Sequence, residues 1–380
     1  MRNLFQLIII ILFVNTSFAQ QPCNDEAIMN TKGSWKKVSD ANPFPDPSFP
    51  KNQYPQATTR IDKMQKLLQA AYPEPKGMEA SWSRDISGNP EVKAGPVPYE
   101  LYAQFRVFFC NYEKNGYEVN PERGADFFVW ANQFNWLAGS QQTNYINKHY
   151  IIQKQPVYLL NKKIGALNGY PLYEGISADS RAIIITRTGQ SPYLPVTQKQ
   201  FLKAFLNYNG KRFVKDLAFE TNRTVKTDAQ EEEEKQNGLK GIEKGYKADA
   251  VERYKAYYLK NYQTEKQRKE AKIARMKKTY EDDMKPARDL LADSLKADLE
   301  QPAILDFDNV LTFKEFTTEE KGGQQLVRIN PDYFNMTLPR YVPQFLIVYW
   351  SWDDAKPANI WRAQVEKNFN FNALKEMIDK

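Results

Sequence analysis

Residues 99–109 alternate between apolar and polar side chains. Leu101, Ala103 and Phe105 fall on one side of an extended chain, and Gln104 and Arg106 fall on the other. This period of two predicts a β-strand with one apolar face. Shorter segments of the same kind follow, namely FFVWANQFNW, PVYLLN, RAIIITR and QQLVRI. The Asn115-Gly116 and Asn168-Gly169 pairs favour tight hairpin turns, because such turns need positive φ angles. We therefore expect an antiparallel sheet.

The segment QFLIVYWSW (344–352) is apolar on both faces from Phe345 to Trp350. A strand covered on both sides has this pattern, which predicts a central position in the sheet. We expect residues 301–380 to complete a domain begun by residues 58–225. Residues 226–300 then form an insertion between the two parts of that domain.

Two helices are predicted from an apolar stripe of helical period. The first spans residues 59–71, with Thr59 as its N-cap and Pro73 as its stop. The second begins at Thr197, which together with Gln200 forms a capping box, and Gly210 suits its C-terminal cap.

The insertion is rich in charged residues and helix formers. An acidic block (231–234) is followed by Gly238, Gly241 and Gly245, and then by the basic stretch EKQRKEAKIARMKK (265–278). Its apolar stripe is thin and rich in tyrosine, and Pro286 is expected to break or kink the last helix. We expect two or more helices, arranged as an antiparallel pair. The predicted fold class is therefore α+β, a mainly antiparallel sheet packed by a few helices with an inserted charged helical region resembling a hairpin.

The basic stretch 265–278 is better explained as a solvated helix than as an anion-binding site. Acidic blocks flank it on both sides, and the stretch has no aromatic residues that would stack on bases. Glu265 and Lys269 have the i,i+4 spacing of an intrahelical ion pair. We expect no nucleic-acid partner.

The first 19 residues have the pattern of a cleaved signal peptide. Arg2 precedes an apolar run from Leu4 to Val14, and Ser17-Phe18-Ala19 provides small residues for cleavage. The run is shorter than the roughly 20 residues of a membrane-spanning helix. We therefore expect a periplasmic or secreted protein with no stable membrane insertion after cleavage. A strap rich in proline and aromatic residues (20–57) follows.

Composition adds three constraints. The 380 residues are 42% hydrophobic and include 22 Tyr, 22 Phe and 7 Trp, which favours folded structure over disorder. The net charge of +7 speaks to solubility and weak attraction to anions rather than to function. Cys23 and Cys110 are the only cysteines and can form one disulfide in an oxidising compartment, although a buried free thiol at Cys110 is the alternative.

Candidate chemistry is sparse. Asp306 and Asp308 lie on one side of a predicted strand and could serve acid–base work or bind a hard cation, although alternation between core and solvent gives the same spacing and is the favoured explanation. Trp350 and Trp352 share a strand face and could stack on a sugar, with core packing as the alternative. His149 is the only histidine, which disfavours triads and two-histidine zinc sites. No metal site or cofactor is predicted.

Three functions are consistent with these features, and the third is anionic-polymer binding through the helical insertion. The leading hypothesis is a non-enzymatic binding or scaffold protein of the cell envelope, which contacts a protein partner through the helical insertion. The alternative is an extracytoplasmic hydrolase or carbohydrate-active module that uses paired carboxylates near aromatic residues.

Overall fold

The computed structural model describes residues 24–40, 49–86, 90, 92–113, 116–134, 146, 148–293, 298–306 and 312–380. These residues form eight α-helices and thirteen strands in two sheets, with 43% helix and 27% strand. The predicted α+β class with a mainly antiparallel sheet is confirmed. The predicted signal peptide lies outside the described residues and stays a prediction, as does the conformation of residues 41–48 of the strap.

The strands are β1 (Trp35–Lys37), β2 (Met78–Asp85), β3 (Tyr99–Asn111), β4 (Gly116–Ala131), β5 (Ile151–Ile152), β6 (Gln155–Leu160), β7 (Lys163–Leu167), β8 (Tyr170–Glu174), β9 (Ser180–Ile185), β10 (Tyr193–Pro195), β11 (Ile304–Leu305), β12 (Gln324–Ile329) and β13 (Leu346–Trp352). The helices are α1 (Asp25–Asn30), α2 (Tyr54–Ala71), α3 (Gln198–Asn222), α4 (Asp228–Gly245), α5 (Ala248–Asn261), α6 (Glu265–Ala292), α7 (Lys356–Asn368) and α8 (Phe371–Lys375).

The chain divides into two compact units, each built from separate stretches of sequence. Of the described residues, those within 1–140, 161–194 and 329–380 form the first unit, and those within 141–160 and 195–328 form the second. The second unit therefore contains the charged insertion together with α3, β5, β6 and most of β12.

The first unit contains an eight-stranded sheet in the order β1-β2-β3-β4-β13-β9-β8-β7. β13 is hydrogen-bonded to β4 on one side and to β9 on the other, with Leu346 opposite both Ala131 and Ile185. The apolar segment 345–350 thus occupies the centre of the sheet. β1, from the predicted strap, adds a parallel edge strand beside β2. The Asn168-Gly169 turn between β7 and β8 has the expected positive φ angles, 52° and 83°.

Helices α2, α7 and α8 cover one face of this sheet. Trp350 of β13, Phe105 of β3 and Trp361 of α7 belong to the same buried cluster as Ile61 of α2. The predicted N-cap at Thr59 is wrong, because α2 begins at Tyr54 with Pro55 in its first turn, and the Thr59 hydroxyl donates to the Pro55 carbonyl. Proline at a first turn is pre-organised for a helix, so the helix starts earlier than the apolar stripe indicates.

The second unit has its own sheet and core. β6 pairs with β5 and β12, and β12 pairs with β11, all in antiparallel fashion. α3 contributes Phe201 and Phe205 to a core that also contains Met284 of α6. The predicted Thr197–Gln200 capping box is confirmed. The predicted helix end at Gly210 is wrong: α3 continues to Asn222, because its C-terminal half packs on α6, which offsets the modest cost of an interior glycine.

The four long helices of the second unit form two antiparallel pairs. α3 and α6 lie side by side, with Phe213 stacked on Tyr280 at a centroid distance of 4.1 Å. Between them in sequence, α4 and α5 form a helical hairpin in which Lys255 pairs with Glu243 at 2.7 Å. α6 runs through Pro286 without a break and ends at Ala292.

The predicted disulfide is only half within the described residues. Cys110 lies near the end of β3 and lines a cavity together with Ile28 and Met29 of α1. Cys23 lies outside the described residues, so its bond to Cys110 stays a prediction. The approach of α1, which begins two residues after Cys23, to Cys110 supports that prediction.

Candidate functional site

The basic stretch 265–278 forms the first half of α6, and two of its lysines are bound by the end of α3. Lys272 Nζ contacts Glu220 Oε2 at 2.6 Å, and Lys269 Nζ donates to the carbonyl oxygens of Thr221 and Arg223 at 2.6 and 2.8 Å. The last carbonyls of a helix have no intrahelical donor, so the Lys269 ammonium caps the end of α3. This part of the stretch stabilises the pairing of the two helices.

The predicted Glu265–Lys269 ion pair is not formed. Glu265 instead contacts Arg223 Nη1 at 2.8 Å and accepts a hydrogen bond from the backbone N–H of Lys226 at 2.9 Å. Glu265 and Lys269 both bind groups at or just after the end of α3, and the sequence of α6 alone does not predict these contacts.

A groove on the helical hairpin is the first candidate site. Its cavity volume is about 580 Å³, within the range of ligand pockets. Five tyrosines line it, and we call it the tyrosine groove: Tyr246, Tyr254, Tyr257, Tyr258 and Tyr262. Glu234, Ile242, Asn261, Gln263 and Arg268 complete the lining.

The tyrosines come together because of helical spacing and one glycine. Tyr254, Tyr257 and Tyr258 are three and four residues apart on α5, which places them on one face. Tyr254 stacks on Tyr246 at the end of α4, with ring centroids 3.9 Å apart. Tyr258 lies against Gly238 of α4, where an added Cβ would be 2.3 Å from the tyrosine hydroxyl.

A buried carboxylate fixes the base of the hairpin. Glu231 of α4 is only 5% exposed, and its Oε2 accepts a hydrogen bond from the Tyr262 hydroxyl at 2.8 Å. Its other oxygen accepts from the backbone N–H of Glu265, at the start of α6. Burial, and then the neighbouring Glu231, raise the pKa of Tyr262 to about 12. Glu231 therefore ties α4 to both α5 and α6.

Two rings of the groove face solvent. Tyr257 is 67% exposed and Tyr246 is 46% exposed. Exposed aromatic rings that lie together in one groove, unlike rings exposed singly, are typical of contact surfaces. The exposed rings and the anchored Tyr262 give the groove a rigid base and accessible apolar area.

A pair of carboxylates in the first unit is the second candidate site. Asp85 of β2 and Glu100 of β3 are directly opposite each other in the antiparallel register. Trp130 Nε1 donates to Glu100 Oε2 at 2.6 Å. Burial, and then the charge of Asp85, raise the pKa of Glu100 to about 7, although the hydrogen bonds from Trp130 and Gln133 act in the opposite direction. A carboxyl group with this pKa exchanges its proton near neutral pH.

Aromatic rings continue from this pair along the same face of the sheet. Phe128 stacks on Trp130 at 4.9 Å and on Tyr102 at 4.4 Å between centroids. The Tyr102 hydroxyl donates to Asp126 Oδ1 at 3.1 Å, and Arg106 contacts the same oxygen at 2.8 Å. The arrangement combines a protonatable carboxyl, a second carboxylate and a row of aromatic rings.

Sequence reasoning missed this pair, because its two members come from different strands. Glu100 is at a polar position of an alternating strand, and the alternation does not predict which residue lies opposite it on the neighbouring strand. The aromatic residues of β4 were the available signal, since Phe128 and Trp130 share a side in the alternation.

The predicted site residues lie elsewhere. Asp306 is exposed just after β11, and Asp308 lies outside the described residues. Trp350 and Trp352 both belong to the buried core of the first unit, where Trp350 Nε1 donates to Glu366 at 3.1 Å. The guanidinium groups of Arg362 and Arg181 lie over the Trp352 ring at 4.7 and 5.3 Å. Core packing, rather than ligand stacking, accounts for both tryptophans.

His149 is half-buried in the second unit. Its ring stacks on Tyr208 at a centroid distance of 4.5 Å. Burial, and then the charges of Arg212 and Lys148, lower its pKa. Within the described residues no group of three or more His, Cys, Asp or Glu side chains is arranged to hold a metal ion.

Comparison of the chain with protein-family models, with curated proteins and with solved structures finds no match. Of the helices that the structure describes, none has the length and hydropathy required to cross a membrane.

Proposed function

We propose that this chain is an exported, non-enzymatic binding or scaffold protein of the cell envelope, and that it contacts a protein partner through the tyrosine groove. The export part of the proposal rests on the signal-peptide pattern of residues 1–19. The contact part rests on one observation: five tyrosines line a single groove on a helical hairpin.

Tyrosine suits this role for physical reasons. It brings large contact area with few rotatable bonds, so little conformational entropy is lost on binding, and its hydroxyl satisfies polar partners. Tyrosine is accordingly enriched among the residues that dominate protein–protein binding energy. Tyr257 presents the most exposed ring in the groove, which makes it the residue expected to contribute most.

The hairpin also presents the groove in a pre-organised form. Capping boxes at Thr227 and Thr264 begin α4 and α6, and buried Glu231 connects all three helices around the groove. A surface that is ordered before binding loses less entropy when the partner arrives. This supports a permanent contact surface over a segment that folds only on binding.

The test is site-specific photo-crosslinking in the native envelope fraction. A photoreactive p-benzoylphenylalanine replaces Tyr257, and in a matched control it replaces Leu259. Leu259 is on the same helix and 46% exposed, but it does not line the groove. We expect a discrete protein adduct from position 257 and none, or a much weaker one, from position 259.

Equal adducts at the two positions would contradict the proposal, because contact would then not depend on the groove. Adducts that contain only lipid or polysaccharide would contradict the protein partner. The Tyr257→Ala variant provides a second readout: its affinity for the captured protein should fall at least tenfold, in the range of a binding hot spot.

The carboxylate pair favours a second candidate function, an extracytoplasmic hydrolase or carbohydrate-active module. Glu100, with a pKa raised to about 7, has the property required of a general acid, and Asp85 supplies a second carboxyl group opposite it. Glycoside hydrolysis uses two such groups, one protonated and one ionised. Trp130 is buried, but Phe128 and Tyr102 beside it are partly exposed, and such rings could pack against a sugar.

A panel of nitrophenyl glycosides tests this second function. Glu100→Gln should abolish any hydrolysis, whereas Glu122→Gln, an exposed acid on β4, should leave it unchanged. A turnover rate that is the same in both variants, or absent from the unaltered protein over the whole panel, would rule out Glu100 as an acid catalyst for glycosides.

A further inference from the structure

The positive charge of the chain is concentrated where α3 and α6 run side by side. Residues 211–223 and 265–278 contain eleven basic and four acidic side chains, an excess equal to the net charge of +7 for all 380 residues. The two stretches are neighbours in space, since Lys272 contacts Glu220 and Phe213 stacks on Tyr280. A local excess of this size attracts anions.

Much of this charge has no acidic partner. Arg212, Arg223, Arg268 and Lys272 form ion pairs with acidic side chains. Within the described part of the chain, six other basic side chains of these stretches make no ion pair: Lys211, Lys215, Lys266, Arg275, Lys277 and Lys278. The acids Asp216, Glu220 and Glu265 pair with three of the four cations named first, and Glu270 makes no ion pair with any described residue.

A groove between α3 and α6 lies within this charged region, and we call it the amphipathic groove. Its cavity volume is about 460 Å³. The stacked rings of Phe213 and Tyr280 and the side chains of Met276 and Met284 form its apolar lining. Methionine is flexible and polarisable, so such a lining adapts to apolar ligands of varied shape.

The charges of the groove are unevenly placed along α6. Lys272 and Arg275 lie at one end, and Asp283 lies about 12 Å further along the helix axis. On α3, Asp216 is 3.8 Å from Arg212, so this acid is already balanced. Arg275 therefore provides an unpaired cation at one end of an apolar channel.

We propose that the amphipathic groove binds a single-chain anionic amphiphile, with the anionic group at Arg275 and the apolar chain along Met276 and the Phe213–Tyr280 stack. Cavities of this volume hold small ligands, and a ligand with one apolar and one anionic part matches both features of the lining. A hydrophilic polyanion would use the charge and leave the apolar lining unfilled.

Calorimetric titration with three probes of equal chain length tests the ligand class: dodecanoate and dodecyltrimethylammonium below their micelle concentrations, and dodecanol below its solubility limit. We expect dodecanoate to bind at least tenfold more tightly than the other two. Equal affinity for all three would contradict the role of charge, and absence of dodecanoate binding would overturn the proposal.

Two matched variants locate the binding. Arg275→Gln and Lys278→Gln each remove one unpaired cation from α6, but only Arg275 lines the groove. Arg275→Gln should weaken dodecanoate binding at least fivefold, whereas Lys278→Gln should change it less than twofold. Equal effects would show attraction by the general field and contradict a specific head-group site.

A third variant tests the channel itself. Thr279→Phe places a ring on an exposed wall position of the groove, so it should abolish dodecanoate binding while circular dichroism shows an intact helix. Unchanged binding in this variant would contradict the proposed location. A different result is attachment of the protein to phosphatidylglycerol vesicles that contain dodecanoate, with no binding of dodecanoate in solution. That result would assign the site to a membrane surface and likewise overturn the proposal.

Discussion

The central strand of the first unit and the helical hairpin of the second are stabilised in opposite ways. Every residue from Leu346 to Trp350 in β13 is buried, with hydrogen-bonded neighbours on both sides. In the hairpin, Glu231 is the one buried residue of α4, and α5 has none. Removal of apolar surface from water stabilises β13, whereas tyrosine contacts, capping boxes and ion pairs stabilise the hairpin.

This difference shows which part of the molecule is free to serve as a contact surface. Regions with few buried apolar contacts open more easily than the core and tolerate changes to their exposed side chains. The hairpin has such a composition, yet Glu231 and the Gly238–Tyr258 contact keep its groove in one shape. The hairpin therefore has exposed side chains that a partner can reach and a groove whose shape is fixed before binding.

The largest expected effect is in the core of the first unit. Trp361 is fully buried and contacts the rings of Phe105 and Phe127 at 4.8 and 6.4 Å. Trp361→Ala should lower the free energy of unfolding by about 3–5 kcal/mol, since it leaves a large cavity. Tyr257→Ala in the hairpin should change it by less than about 0.5 kcal/mol. Equal losses in denaturant titrations would contradict the contrast between the two regions.

The next largest effect depends on pH and on Glu100. Its pKa is raised from 4.5 to about 7, so between these values the folded state keeps a proton that the unfolded state has lost. Stability should therefore fall as pH rises through this window, with the full loss present above about pH 7. Glu100→Gln should be more stable than the parent at pH 8, by at most on the order of 3 kcal/mol.

The measurement is denaturant unfolding at pH 4, 6 and 8, and the advantage of Glu100→Gln should disappear at pH 4. Glutamine keeps one oxygen that can accept the Trp130 hydrogen bond, and it removes the negative charge. A constant difference at all three values would show that Glu100 does not titrate as described.

A smaller and local effect is expected at Glu231. Glu231→Ala removes the side-chain acceptor of Tyr262, whose hydroxyl keeps only the Glu231 backbone carbonyl at 2.9 Å, and leaves the N–H of Glu265 unsatisfied, a cost of about 1–3 kcal/mol. Hydrogen exchange should accelerate in α4 and α5 while β13 stays protected. Glu232→Ala is the matched control, because Glu232 contacts only Lys235 and Gln236 at the surface. Similar exchange in both variants would mean that Glu231 does not anchor the hairpin.

The smallest predicted effect distinguishes two glycines of α4. Gly241 has no atom within 4 Å of its Cβ position, so Gly241→Ala should stabilise the hairpin by about 0.5–1 kcal/mol. Gly238→Ala meets the Tyr258 ring and should lose that gain and perturb the groove. Tyrosine fluorescence and hydrogen exchange report both changes, and identical behaviour of the two variants would contradict the close contact at Gly238.

Much of the fold could be predicted from local pattern. The alternation in residues 99–109, the doubly apolar segment 345–350 and the Thr197–Gln200 capping box each determine structure through neighbours in sequence. Errors arose where distant neighbours decide: Gly210 does not end α3 because α6 packs beside it, and Glu265 turns to Arg223 instead of Lys269.

The candidate sites were harder to predict for the same reason. Asp306 and Asp308 share a local spacing, but the pair with a perturbed carboxyl is Asp85 and Glu100, which are joined only by strand register. The tyrosine stripe of the insertion was visible, yet its assembly into a groove requires the close approach at Gly238. Local spacing identifies side chains, whereas pairing between elements assembles sites.

Excision of the hairpin tests the central claim most directly. The backbone N–H of Lys226 donates to the Glu265 carboxylate at 2.9 Å, so the two ends of the hairpin lie close together. Residues 227–263 can therefore be removed and Lys226 joined to Thr264. Thr264 then keeps its capping box with Gln267. We predict that this variant folds, retains the near-ultraviolet circular dichroism of the first unit, and no longer binds the protein captured at position 257. A folded variant that still binds this protein with the parent affinity would contradict the account.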